Sequence, residues 1–185
     1  MVRMALWFYA GMFGLAYGIV FFWNGGDLSH WFPVRSVGGI ALDILIGVGV
    51  GLVVVVISRF GMERLVWGRQ MMESFARVLG GLQRHEVLML AFLSGIAEEA
   101  LFRTTLQPLL GVVWTALLFG LVHTGPERHY ALWTLFAMGF GLLVGGIVWW
   151  HPGLWLPAAA HITVNAMNLA KIAEAPHTPK ATTAG

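Results

Sequence analysis

The chain has 185 residues, 58% hydrophobic and 11% charged, with a mean hydropathy of +0.75. A water-soluble domain carries about 25% charged residues, so this composition suits a membrane interior and not an aqueous surface. The net charge of +2, with arginines set beside apolar runs, argues against nucleic-acid binding; the absence of cysteine excludes disulfides, thiolate metal ligands and a thiol nucleophile.

Read in order, the sequence gives an all-α polytopic bundle of about six transmembrane helices plus an amphipathic surface helix, in a single domain over 1–175. The first span runs from about Ala5 to Trp23. Its apolar run exceeds the usual signal-peptide core and no small-x-small cleavage site follows, so it reads as a retained anchor. A polar turn, Asn24 to Ser36, leads to a second span at about Val37 to Ser58, with Gly47 and Gly51 on one face for close packing. Asp43 lies in this span, near the interface or facing the bundle, with no role assigned.

Between Arg59 and His85 apolar residues at helical spacing alternate with arginines, as in a helix lying on the membrane surface. Its five arginines, with Arg3, place this connector and both termini on the cytoplasmic side. Four further spans are expected at about Glu86–Gln107, Leu109–His123, Tyr130–Trp150 and Leu154–Ile172, and Gly141 and Gly145 form another packing face. The tail, 176–185, is expected to be disordered. No internal repeat is visible, which weighs against an inverted-repeat transporter.

Within these apolar segments stand Glu98, Glu99, Arg103, His123, His161 and Asn165. An ionisable group at mid-bilayer costs about 2.5–3.5 kcal/mol on insertion scales, so something must offset several of them. Glu99 and Arg103 are four apart and can pair, whereas Glu98 is rotated by about 100° and needs another environment, such as a wet cavity. His161 and Asn165, also four apart, project from one face. Either alone could be an interhelical hydrogen-bonding residue, but a carboxylate with two imidazoles is a costly way to hold helices together. His30, His85, His129, His151 and His177 fall in loops or the tail and read as solvated.

Several hydrolytic chemistries can be tested on these residues. His85-Glu86 lacks the second histidine of an HExxH zinc site. The two aspartates, Asp27 and Asp43, do not make an intramembrane pair, because Asp27 is in a loop. Ser94 with His123 or His161 could form a serine site, although Ser94-Gly95 lacks the preceding glycine of a rhomboid-like turn. A glutamate-based mechanism remains.

Glu98-Glu99-Ala100-Leu101-Phe102-Arg103 resembles the EExxxR motif of the CAAX protease and bacteriocin-processing (CPBP, or ABI) family, Phe119 to His123 its FxxxH motif, and His161 to Asn165 its HxxxN motif. The motifs occur in family order across about 86–169. The resemblance implies an intramembrane endopeptidase of glutamate type acting on a membrane-associated protein or peptide. It implies Glu98 as general base, His123 holding the attacking water, His161 and Asn165 as oxyanion donors, and Glu99 with Arg103 as support. It also raises a zinc site of Glu98, His123 and His161; a metal-free site is preferred, because the His161–Asn165 pair suits an oxyanion hole better than a ligand set. A compact form with nothing appended suits a dedicated processing enzyme, of the myxosortase-like kind that handles C-terminal sorting signals, in the bacterial inner membrane. A non-catalytic immunity or partner protein and a small transporter are the alternatives.

Overall fold

The computed structural model describes residues 2–175, so the expectation for the tail lies outside them. Among the described residues are seven α-helices, one π-helical turn and no strand. The helices are α1 (Val2–Asn24), α2 (Val37–Arg64), α3 (Val66–Leu79), α4 (Arg84–Leu101), α5 (Gln107–Val122), α6 (Tyr130–Trp150) and α7 (Trp155–Ala173), with the π turn Phe102–Leu106 joining α4 to α5. The all-α membrane bundle is thus what forms. Four helical runs are long and apolar enough to cross a bilayer: Val2–Asn24, Val37–Arg64, Arg84–Val122 and Tyr130–Trp150. The more polar α7 is packed inside the bundle against α2 and α4.

The third of those runs is not one straight helix. Gly111 has φ 79° and ψ 169°, left-handed backbone that only glycine adopts readily, and there the chain reverses. Phe119 returns to pack its ring 5.0 Å from that of Phe102, and His123 returns to the level of Glu98. After the reversal, residues 112–122 rise only about 16 Å at 1.5 Å per residue, roughly half the apolar thickness of a bilayer. The expected span Leu109–His123 is therefore a half-length arm that folds back, one of the about six helices expected. Its short reach leaves His123 at mid-bundle instead of at a surface.

Just before the reversal lies the π turn. Thr104 and Thr105 both donate their hydroxyls to the Ala100 carbonyl (2.8 Å each), and Pro108 has no N–H to give to the ladder. The widened turn that results re-aims the residues from Arg103 to Gln107.

Small residues set the other contacts. A Cβ on Gly51 would stand 2.7 Å from the Ala160 carbonyl and from Thr163, so α2 and α7 approach through the expected glycine face. Gly141 and Gly145 do the same for α5 against α6. The surface helix is shorter than expected: α2 continues to Arg64, and α3 covers Val66–Leu79, packed under α2, α6 and α7. Arg84 then starts α4, whose first turn is fixed by Glu86 Oε2 accepting from the Gln83 N–H at 2.9 Å. Gly81 N–H bonds the Ala173 carbonyl, placing the end of α7 beside α3. At the opposite end, Leu154 N–H bonds the Trp31 carbonyl and ties the α1–α2 and α6–α7 loops together.

Two of the loop histidines are not simply solvated. His129 is buried, with Nε2 2.9 Å from the Ser74 hydroxyl, and so pins α3 to the start of α6. His151 Nε2 lies 2.7 Å from Asp43, which is itself buried and paired with Arg35 at 3.2 Å. Asp43 therefore has the structural role that sequence leaves open: its charge is compensated by two loops closing over the end of α2. His30 and His85 are exposed, as expected, and His177 lies outside the described residues.

Candidate active site

Two consecutive carboxylates on α4 face different neighbours. Glu99 is fully buried and meets Arg103 one turn later, Nε to Oε2 at 3.2 Å. Its other oxygen, Oε1, lies 2.7 Å from His161 Nδ1 on α7. The ion pair is therefore shared with a histidine, which the i,i+4 spacing alone does not reveal. Arg103 also stacks over Phe119 with its guanidinium carbon 4.8 Å from the ring centre.

Glu98 turns the other way, toward α5 and α7. Its Oε2 is 3.4 Å from His123 Nε2 and 3.9 Å from His161 Nε2, and it has no hydrogen-bond partner although buried. The tautomers follow from what the far side of each ring touches. His123 Nδ1 lies 2.6 Å from the Phe119 carbonyl, which can only accept, so the proton is on Nδ1. Glu99, already facing a guanidinium, accepts from His161 Nδ1 in the same way. With both Nδ1 protons so placed, the two Nε2 atoms and a carboxylate oxygen converge on one point. Such a point calls for a donor: a water, or a proton on one of the rings.

All six singled-out residues are thus brought to one region, though not in one role. Asn165 is half-buried and donates its Nδ2 to Ser94 Oγ at 2.8 Å, anchoring α7 to α4 one turn away from His161. Ser94 in turn donates to the Ala91 carbonyl at 3.2 Å and accepts from Asn165 instead of meeting an imidazole, so it is not set up as a serine nucleophile. One neighbour escapes a reading of the sequence: Tyr9 on α1 lies beside Glu98 and Ser94. Nothing marks it in sequence, because an aromatic in a first span reads as an interfacial anchor.

Residues 82–167 match the family model of the Rce1-like type II CAAX prenyl endopeptidases. This segment resembles that family. The matched segment starts just before α4, ends within α7 and contains every one of the six polar residues, while α1, α2 and α3 lie outside it. The chain is also 36% identical over 84 residues to a Bacillus subtilis (strain 168) protein named "Uncharacterized protein YpbD". That alignment covers 44% of this chain and 42% of the relative, less than half of its length. No solved structure matches the chain.

Zinc, which the resemblance raises, can be tested on the donor set. The chemistry fits, since both free imidazole nitrogens are backed by an acceptor on the other ring nitrogen, as in zinc-binding histidines. Among the described residues, no group of three His, Cys, Asp or Glu side chains is found that could hold a metal ion as placed.

Proposed function

We propose that the Rce1-like site is a metal-free, glutamate-activated peptidase acting on a membrane-associated protein or peptide. The observation that carries this reading is the convergence of Glu98 Oε2 with the Nε2 atoms of His123 and His161. A water placed between Glu98 and His123 can donate one hydrogen to each. Glu98 takes the proton as the oxygen attacks the peptide carbonyl, and later returns it to the leaving amine. The tetrahedral oxyanion needs donors. His161 can donate through Nε2 only as an imidazolium, which Glu99 at 2.7 Å supports. Asn165 spends one N–H on Ser94 and has a second for the oxyanion. Arg103 holds Glu99, and through it the ring of His161.

The orientation belongs to the same proposal. The arginine-rich α3 end faces the cytoplasm of a bacterial inner membrane, and both ends of the described chain lie on that side. The site is then reached by substrates lying in or on the bilayer.

The reading is tested by mapping new protein termini in membrane fractions of cells carrying the wild-type chain or Glu98→Gln. A set of termini that depends on Glu98 is expected. An identical set in both would favour a binding or immunity protein with the same fold. Purified protein dialysed against a chelator should keep its activity; a stoichiometric zinc needed for turnover would overturn the metal-free part.

A further inference from the structure

Of the six polar residues, only His123 lies past the end of its helix, where a φ of −99° and a ψ of 48° have left helical geometry. Its place is therefore set by contacts, and four are present. Its N–H donates to the Gly120 carbonyl at 2.9 Å, and its carbonyl accepts from Thr134 Oγ1 at 2.9 Å. Its Nδ1 meets the Phe119 carbonyl at 2.6 Å. The fourth contact is Trp133 on α6, whose ring stands T-shaped to the imidazole, 5.2 Å between centres at 81°.

These contacts do different things. The two backbone bonds fix where the residue lies, and the Nδ1 bond fixes one atom of the ring. A ring held at one atom can still tilt about it, and Nε2 lies on the far side. Two aromatic rings limit that tilt: Phe119, 4.4 Å away and inclined by 38°, and Trp133, nearly perpendicular. Trp133 is itself backed by Phe75 of α3 at 5.0 Å and by Tyr130 at 6.1 Å. The last turn of α5 can approach this group because residue 120 is glycine, where a Cβ would stand 3.0 Å from the Thr134 carbonyl. Phe75 lies outside residues 82–167, so part of the support comes from the chain beyond the matched segment.

We propose that Trp133 is a positioning residue of the peptidase site: backed by Phe75, it holds the His123 imidazole at the tilt that aims Nε2 at the water beside Glu98. The proposal rests on the peptidase reading and deepens it. A misplacement of about 1 Å can cost about 100-fold in rate, so the effect belongs in turnover and not in binding.

Trp133→Phe keeps an aromatic ring and Trp133→Leu removes it. With purified protein in lipid and one identified peptide substrate, Trp133→Leu should lose about 10- to 100-fold in kcat, with KM within about twofold of the wild type. Trp133→Phe should keep most of the turnover. Turnover by Trp133→Leu within about twofold of the wild type overturns the proposal. Equal losses in both variants that follow a fall in unfolding temperature overturn it too, being the mark of packing alone. Phe75→Leu, which withdraws the backing of Trp133, serves if Trp133→Leu fails to fold, with a smaller loss in the same parameter.

A second arm needs no catalysis. In protein carrying isotopically labelled histidine, the ring-nitrogen signals of His123, assigned by their loss in His123→Gln, report whether Nδ1 keeps its hydrogen-bonded proton. Trp133→Leu should average the ring between its tautomers, and Trp133→Phe should not. An unchanged His123 signal in Trp133→Leu overturns the positioning role. The expected change, in a protein whose wild type cleaves nothing, upholds that role and sinks the peptidase reading alone.

Discussion

Glu98 and Glu99 are adjacent in the chain, yet the helix sends one to the imidazole nitrogens and the other to Arg103 and His161 Nδ1. Their replacement by glutamine should therefore fail in different ways. Glu99→Gln breaks a buried ion pair and leaves Arg103 uncompensated, a loss of about 3–5 kcal/mol in stability that thermal unfolding in detergent would reveal. Glu98→Gln removes no ion pair to Arg or Lys, so its unfolding temperature should stay near that of the wild type. Asn165→Ala loses the bond to Ser94, for which interhelical polar contacts suggest about 0.6–1.7 kcal/mol. The spacing in the sequence already separates the two carboxylates and pairs Glu99 with Arg103. What it does not contain is the partner on another helix: that Glu99 holds His161, that Asn165 first serves Ser94, and that His129 and His151 are engaged. Those depend on which loop and helix meet, and residue type says nothing of that.

At the scale of helices, glycine faces decide how near the site-bearing elements come. Gly51 lets α2 lie against the turn of α7 that holds His161, and a Cβ there would collide with the Ala160 carbonyl and Thr163. Gly51→Val should therefore cost about 1–3 kcal/mol by overpacking and displace α7, lowering both the unfolding temperature and turnover. Gly49→Val, on the same helix with open space around it, is the matched control and should be close to neutral. The glycine faces are legible in sequence because small residues four apart in an apolar helix have a specific use. The reversal at Gly111 is not, although a break near it is: a positive φ inside a long apolar run leaves no mark beyond one more glycine. This is why hydropathy makes α5 a full span when it is half of one.

For the whole molecule, the membrane class and helical architecture are legible from composition and hydropathy, since no soluble fold tolerates such a surface. The arrangement of the bundle carries a topological prediction. A phosphatase reporter inserted in the α1–α2 loop should be active, and one inserted between α3 and α4 inactive, because the proposed orientation keeps the arginine-rich end in the cytoplasm. The central claim, however, is chemical: Glu98 activates the water. The most direct measurement is hydrolysis of one identified peptide substrate by purified wild-type and Glu98→Gln protein in lipid, both shown to be equally folded. A fall of about 10²–10⁴ in turnover, with little change in substrate binding, is the expected result. Turnover by Glu98→Gln within a few-fold of the wild type would contradict it.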